Sequence, residues 1–111
     1  MGDHAASQIS EAMNRLWQKF LPQMEERVGT LKGAAAKLAT GSPLSPEEQS
    51  KAGAEAHKLA GVLGTFGLTE GTDLAREAEG LFENPSLLDS AKVARLCSIA
   101  ERLKTMMASR V

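Results

Sequence analysis

Ser45-Pro-Glu-Glu-Gln-Ser-Lys-Ala-Gly-Ala-Glu-Ala-His57-Lys-Leu-Ala-Gly-Val-Leu-Gly-Thr-Phe-Gly67 is the stretch on which the fold turns. Ser45 stands where a helix N-cap belongs, Pro46 suits the first helical position, and Glu47 and Glu48 fall in the first turn, where negative charge complements the helix dipole. Ala52, Ala56, Leu59, Leu63 and Phe66 then recur in alternating steps of four and three, which draws an apolar stripe down one face of a helix. Gly67 is placed to end that helix in a left-handed cap.

The same periods extend in both directions. Upstream, Ile9, Met13, Leu16 and Phe20, then Met24, Val28, Leu31, Ala35 and Leu38, mark helical faces. Pro22 lies between the two sets. Because proline removes an internal hydrogen bond and disfavours a helical residue before it, the sequence predicts a short helix, a kink or break near Leu21, and a longer helix ending at Thr40-Gly41. Ser42-Pro-Leu-Ser-Pro46 is a linker. Downstream, Thr69 is the expected cap of a helix carrying Leu74, Ala78, Leu81 and Phe82, which Asn84-Pro85 stops. Ser86-Leu-Leu-Asp89 has the spacing of a capping box, with Asp in the Glu position, and opens a last helix with Val93, Leu96, Ala100, Leu103 and Met107 inward. Short connections favour antiparallel neighbours, so the expected architecture is all-α, an up-down four-helix bundle preceded by a short extra N-terminal helix.

Composition agrees. Among 111 residues, 17 Ala and 14 Leu face six Val and Ile together, with three Phe, one Trp and no Tyr, a supply suited to helices and poor for sheets. The length allows one domain over residues 1–111 with a core of its own, and residues 1–5 are expected to be disordered or a remnant of expression. Thirteen Lys and Arg against 14 Asp and Glu leave a net charge of −1, which argues against nucleic acid or a membrane surface as partner. Cys97 is alone and cannot form an internal disulfide, and no 18-residue apolar run or cationic leader is present, so a cytoplasmic protein is expected. Ten glycines sit uneasily in such a chain, since each lowers stability by roughly 0.5–1 kcal/mol relative to alanine inside a helix.

Several of those glycines surround a histidine. His57 follows the inward Ala56 and is therefore turned about 100° from it, at the edge of the stripe, where its ring reaches solvent. Its neighbours on the helix surface are Gly53, Ala54, Ala60 and Gly61, with Gly64 two turns on. All are Gly or Ala, so another protein could approach the ring without meeting a long side chain. Small residues also let a neighbouring helix pack closely, and the pattern alone leaves both uses open.

Ala56-His57-Lys58-Leu59-Ala60-Gly61-Val62-Leu63-Gly64-Thr65-Phe66-Gly67-Leu68 resembles the phosphorylation-site motif of histidine-containing phosphotransfer (HPt) domains of two-component phosphorelays, in which Ala-His-x-Leu-Lys-Gly leads into further glycines and a turn. Thr65-Phe66-Gly67 also resembles the phosphotransfer domain of chemotaxis-type kinases. The likeness extends through Leu74, Ala78 and Glu79 and the predicted bundle. It implies that His57 accepts a phosphoryl group from a receiver-domain aspartate or a histidine kinase and passes it to another receiver aspartate. A neutral imidazole keeps one nitrogen lone pair free for such an attack. Lys58, Gly61, Gly64, Ala60, Gly53 and Ala54 would then form the surface met by phosphate and partner. The domain would be a carrier needing no cofactor or metal of its own, with Mg²⁺ on the partner receiver. One departure stands out, because the family's Lys three residues after the histidine is Ala60 here. That departure is the support for an alternative, a catalytically silent helical interaction module of the same fold.

Other residues read plainly. Lys51 and Lys58 are a solvated pair that could edge a docking face, and Arg76, Glu77 and Glu79 are ordinary exposed charges. Trp17 and Phe20 are expected to cover one end of the bundle, Met106-Met107 to end the last stripe, and Cys97 to be a small buried hydrophobe. His4 has no spaced partner for a metal site with His57. No phosphate-cradling glycine loop between strand and helix is present, so the chain carries no ATP site for phosphorylating itself.

Overall fold

The computed structural model describes residues 2–84 and 88–110, with side chains from residue 8 onward. Four helices follow in order: α1 (Gly2–Ala39), α2 (Pro46–Thr65), α3 (Thr69–Glu83) and α4 (Ser90–Ser109). They pack as a ring, α1 against α2 and α4, and α3 against α2 and α4. No strand occurs among the described residues. None of these helices is long and apolar enough to cross a membrane. His4 lies outside the described side chains, and Pro85, Ser86, Leu87 and their expected roles lie outside the described residues.

The separate N-terminal helix is not found. α1 runs unbroken through Pro22 for 38 residues. A helix of that length is about 57 Å long at 1.5 Å per residue, which matches the long axis of the molecule, 57 Å against 22 and 19 Å across. The helix survives its proline because both flanks are anchored. Trp17 and Met24 are buried against the same bundle, and Pro22 itself faces solvent, where its missing hydrogen bond can be replaced by water.

The anchoring also resets which residues of α1 point inward. The core row is Trp17, Leu21, Met24, Val28, Leu31 and Ala35, again in steps of four and three, while Ile9, Leu16 and Phe20 are exposed at 66%, 44% and 37%. Trp17 meets Phe66 edge to face with ring centres 5.1 Å apart, and the Arg110 guanidinium lies 4.7 Å over its ring. Phe20 reaches the same Phe66 from outside at 6.4 Å. Trp17 therefore closes the end of the core as expected, and Phe20 lies over its rim.

The helix ends are chemically explicit. The Ser45 hydroxyl accepts from the Glu48 amide at 3.0 Å while the Glu48 carboxylate accepts from the Ser45 amide at 2.9 Å, a complete capping box. Gly67 adopts φ +74°, and the Leu68 amide returns to the Leu63 carbonyl, so α2 closes in the left-handed cap that the sequence implied. At α3 the cap differs. Thr69 is already helical, and Leu68 precedes it without any side-chain capping bond. The core row of α3 is Gly71, Ala75, Ala78 and Phe82, with Leu74 and Leu81 half-buried beside it. α4 is capped by Asp89, whose carboxylate accepts from the Lys92 amide at 2.8 Å. Leu96, Ile99, Ala100, Leu103 and Met107 of α4 are buried, while Cys97 is only half-buried against the core.

Candidate functional site

The inward stripe of α2 decides where its polar residues stand. Ala52, Ala56, Leu59 and Leu63 are completely buried, so His57, one step from Ala56, emerges at the flank of the helix with its side chain 74% exposed. α3 runs along that flank. Ala78 is buried there, and the residue after it, Glu79, emerges opposite His57. The His57 Nδ1 and a Glu79 carboxylate oxygen are 2.9 Å apart. Glu79 is the more sheltered partner, with its side chain 27% exposed.

This contact bears on the chemistry of the ring. A carboxylate only accepts, so the hydrogen at His57 Nδ1 is the one donated to Glu79. In the neutral ring the other nitrogen, Nε2, then carries the lone pair, on a side chain that is mostly exposed. The carboxylate fixes the ring's tautomer and orientation, and it would stabilise positive charge developing on the ring during nucleophilic attack.

The surroundings hold the two helices in register. Gln49 donates to the Phe82 carbonyl at 2.9 Å and so occupies an acceptor in the last turn of α3. Thr72 donates to the Ala60 carbonyl at 3.0 Å in the buried seam between the helices. A side chain at Gly64 would bring its Cβ within 3.2 Å of that threonine hydroxyl, so this glycine serves close helix packing as well as openness. At Gly61 a Cβ would meet nothing within 4 Å, and at Gly53 it would touch the Phe82 Cβ at 3.9 Å. Pro46, Ser50, Gly53 and Ala54 line a shallow groove together with His57, Lys58, Glu79 and Glu83.

The expected small-residue patch is thus partly corrected. Ala54, Gly61 and Gly64 are exposed and Gly53 is half-buried, but Ala60 is 5% exposed and belongs to the core. Ala60 lies three residues from His57 but four from Ala56, and the packing of α3 takes it inward. Lys58 is exposed, and its ammonium lies 3.9 Å from Glu55, a carboxylate that the Arg27 guanidinium also approaches at 3.4 Å. It therefore leans toward α1, on the side of His57 away from Glu79. Lys51 lines the same α1–α2 groove. No group of three or more His, Cys, Asp or Glu side chains arranged to hold a metal occurs among the described residues.

Glu79 is the site residue that sequence reasoning passed over as an ordinary surface charge. A signal was present: Ala56-His57 and Ala78-Glu79 are each an inward alanine followed by a polar residue at the edge of its stripe. Only the register of α3 on α2 shows that the two edges meet.

Comparison with known proteins identifies the domain. The model of the Hpt domain family matches residues 15–109. Protein RcaC of Microchaete diplosiphon is 40% identical over 67 residues, which cover 60% of this chain and 10% of that protein. The chain therefore spans about a tenth of the length of this curated relative. No solved structure matches the chain.

Proposed function

The chain belongs to the Hpt domain family, whose members are phosphotransfer carriers of two-component signalling, and we propose that His57 is the residue that carries the phosphoryl group. The observation that supports this most is the Nδ1 contact with Glu79 at 2.9 Å on a side chain that is 74% exposed, a contact that in the neutral ring puts the lone pair on Nε2. In the proposed step, the Nε2 lone pair attacks the phosphorus of an aspartyl phosphate on a receiver domain, or of a histidine kinase's phosphohistidine. The N–P bond forms as the bond to the donor breaks, and the donor carboxylate or imidazole leaves with its electron pair. The imidazole gains positive charge, which the Glu79 carboxylate offsets through the shared Nδ1 hydrogen. Passing the group to a second receiver aspartate reverses these changes.

Most of the charge stabilisation at phosphorus belongs to the partner, whose Mg²⁺ would neutralise the transferring oxygens. This domain contributes a positioned nucleophile and an unobstructed surface formed by Ala54, Gly61 and Gly64. A cytoplasmic location goes with such partners. The test is incubation with a phosphorylated receiver and Mg²⁺. An acid-labile label on the wild type and none on His57→Gln, with unchanged helical content, is the expected result. Label on His57→Gln, or a stable complex that never transfers phosphate to the wild type, would overturn the proposal.

A further inference from the structure

Phosphorylation of His57 would create a local charge problem. The phosphoryl group brings close to two negative charges, and Glu79 already stands 2.9 Å from the other ring nitrogen, with Glu83 lining the same groove. Lys58 borders that groove as well, but its ammonium lies 3.9 Å from Glu55 toward α1, and Lys51 lines the α1 side. A cation on the α3 side of the ring would offset that charge.

Arg76 stands there. It lies on α3 three residues before Glu79, one turn along the helix, where side chains are about 5–6 Å apart at Cβ. The α2–α3 seam runs from the His57–Glu79 pair to the Thr72–Ala60 bond, and Arg76 lies between Glu79 and Thr72 in sequence. It therefore flanks the bare stretch at Gly61, where nothing would obstruct even a Cβ. Arg76 is exposed, and it has no hydrogen bond or ion pair among the described residues, although Asp73 and Glu79 stand at i−3 and i+3 on its own helix. The contrast on the same helix is sharp, because Glu77 and Glu70 are each engaged by two nitrogens of an arginine, Arg95 and Arg102. Gly80, four residues on, adds no side chain that would restrain the guanidinium.

Building on the carrier reading of His57, we propose that Arg76 is a phosphoryl-contacting residue: its guanidinium swings across the open surface at Gly61 and takes two oxygens of the phosphoryl group on His57 Nε2. A planar fork of N–H donors suits that task better than an ammonium. It also supplies from α3 the positive charge that α2 lacks at Ala60.

The experiment charges the isolated domain with phosphoramidate, a small phosphodonor that needs no receiver, and follows phosphohistidine by ³¹P resonance or gel shift. Wild type, Arg76→Gln, Arg76→Lys and Arg95→Gln are compared at low salt and at 1 M salt. Arg76→Gln is expected to lower phosphohistidine formation about tenfold, the effect of one charge-assisted contact. Arg76→Lys should recover part of the loss, Arg95→Gln should leave formation unchanged, and 1 M salt should narrow the difference. Equal labelling of wild type and Arg76→Gln overturns the role of Arg76 while leaving the carrier reading intact. Absence of label on the wild type overturns both.

Discussion

The two seams of α3 are built from the same residue types and behave as opposites. Toward α4, Glu77 and Glu70 are each gripped by two nitrogens of an arginine, Arg95 and Arg102, and those pairs lower the carboxyl pKa values and raise those of the arginines. Toward α2, Glu79 meets a histidine that is mostly exposed, Arg76 has no partner among the described residues, and the facing helix presents Ala54, Gly61 and Gly64. The first seam is saturated in its two carboxylates: Glu77 and Glu70 each have an arginine as counter-charge within the fold. The second is short of both partners and side-chain bulk. Such an unsatisfied surface is what the proposed receipt of a phosphoryl group and a second protein in turn would require.

The comparison is broken most severely at the carboxylates. Glu79→Gln keeps the shape but gives the His57 ring an amide partner that carries no charge. Phosphoryl uptake from a phosphorylated receiver is expected to fall roughly ten- to hundredfold, the scale on which a positioned carboxylate acts through its histidine. Glu77→Gln, on the saturated seam, should leave the uptake rate unchanged. Rapid-quench measurement of both variants decides the matter, and equal rates would show that the Glu79 contact is structural only.

Glycine supplies the next contrast, with a smaller effect. At Gly61 a methyl group meets open space, so Gly61→Ala should stabilise the bundle by about 0.5–1 kcal/mol through helix propensity, read as a raised melting temperature. Gly64→Ala gains the same propensity but presses on the Thr72 hydroxyl at 3.2 Å, which bonds the Ala60 carbonyl, so its gain should be smaller or absent. On the bare surface away from Arg76, Ala54→Leu should cut transfer from a receiver by about tenfold or more while labelling by phosphoramidate stays within a factor of two. Equal loss with both donors would mean that the residue disturbs His57 itself and not the approach of the partner.

What could be read from the sequence was mostly what is decided locally. The Ser45 N-cap, the Gly67 left-handed cap and the inward rows of α2 and α4 each depend on residues within one or two turns, and they stand where the residues implied, with Phe66 and Val93 only half-buried. α1 was harder, because Leu16-Phe20-Met24 and Trp17-Leu21-Met24 both keep helical spacing. The contacts of Trp17 with Phe66 and Arg110, 49 and 93 residues away in sequence, select the second phase and carry the helix across Pro22. The site divides in the same manner. His57 announced itself through its own helix, whereas Glu79 and Arg76 acquire meaning only from the register of α3 against α2, a tertiary quantity that no single-helix pattern encodes. Ala60 shows the same limit from the other side, since its small size suits both a bare surface and a close helix seam, and α3 decides for the seam.

The saturated charges give the mildest way to sharpen the contrast, through pH. Glu48 is held down to about 2 by the Lys37 ammonium first and the Ser45 amide second, and Glu70 and Glu77 are held below the ordinary carboxylate range by Arg102 and Arg95. A carboxyl whose pKa is lower in the folded than in the unfolded chain stabilises the fold fully above its unfolded value, near 4.3. As pH falls below about 5, the unfolded state takes up protons before the folded one, and that stability is lost progressively toward pH 2. Melting temperature should therefore be flat with respect to these groups from pH 5 to 8 and decline below. The decline should be modest, because the pairs are exposed and solvent screens them. Glu48→Gln should flatten the acid limb slightly, since it removes the most strongly shifted carboxylate, and should also lower the melting temperature at pH 7 by weakening the box that starts α2. A Glu48→Gln melt whose acid limb coincides with that of the wild type would show that this paired carboxylate does not stabilise the fold through its charge.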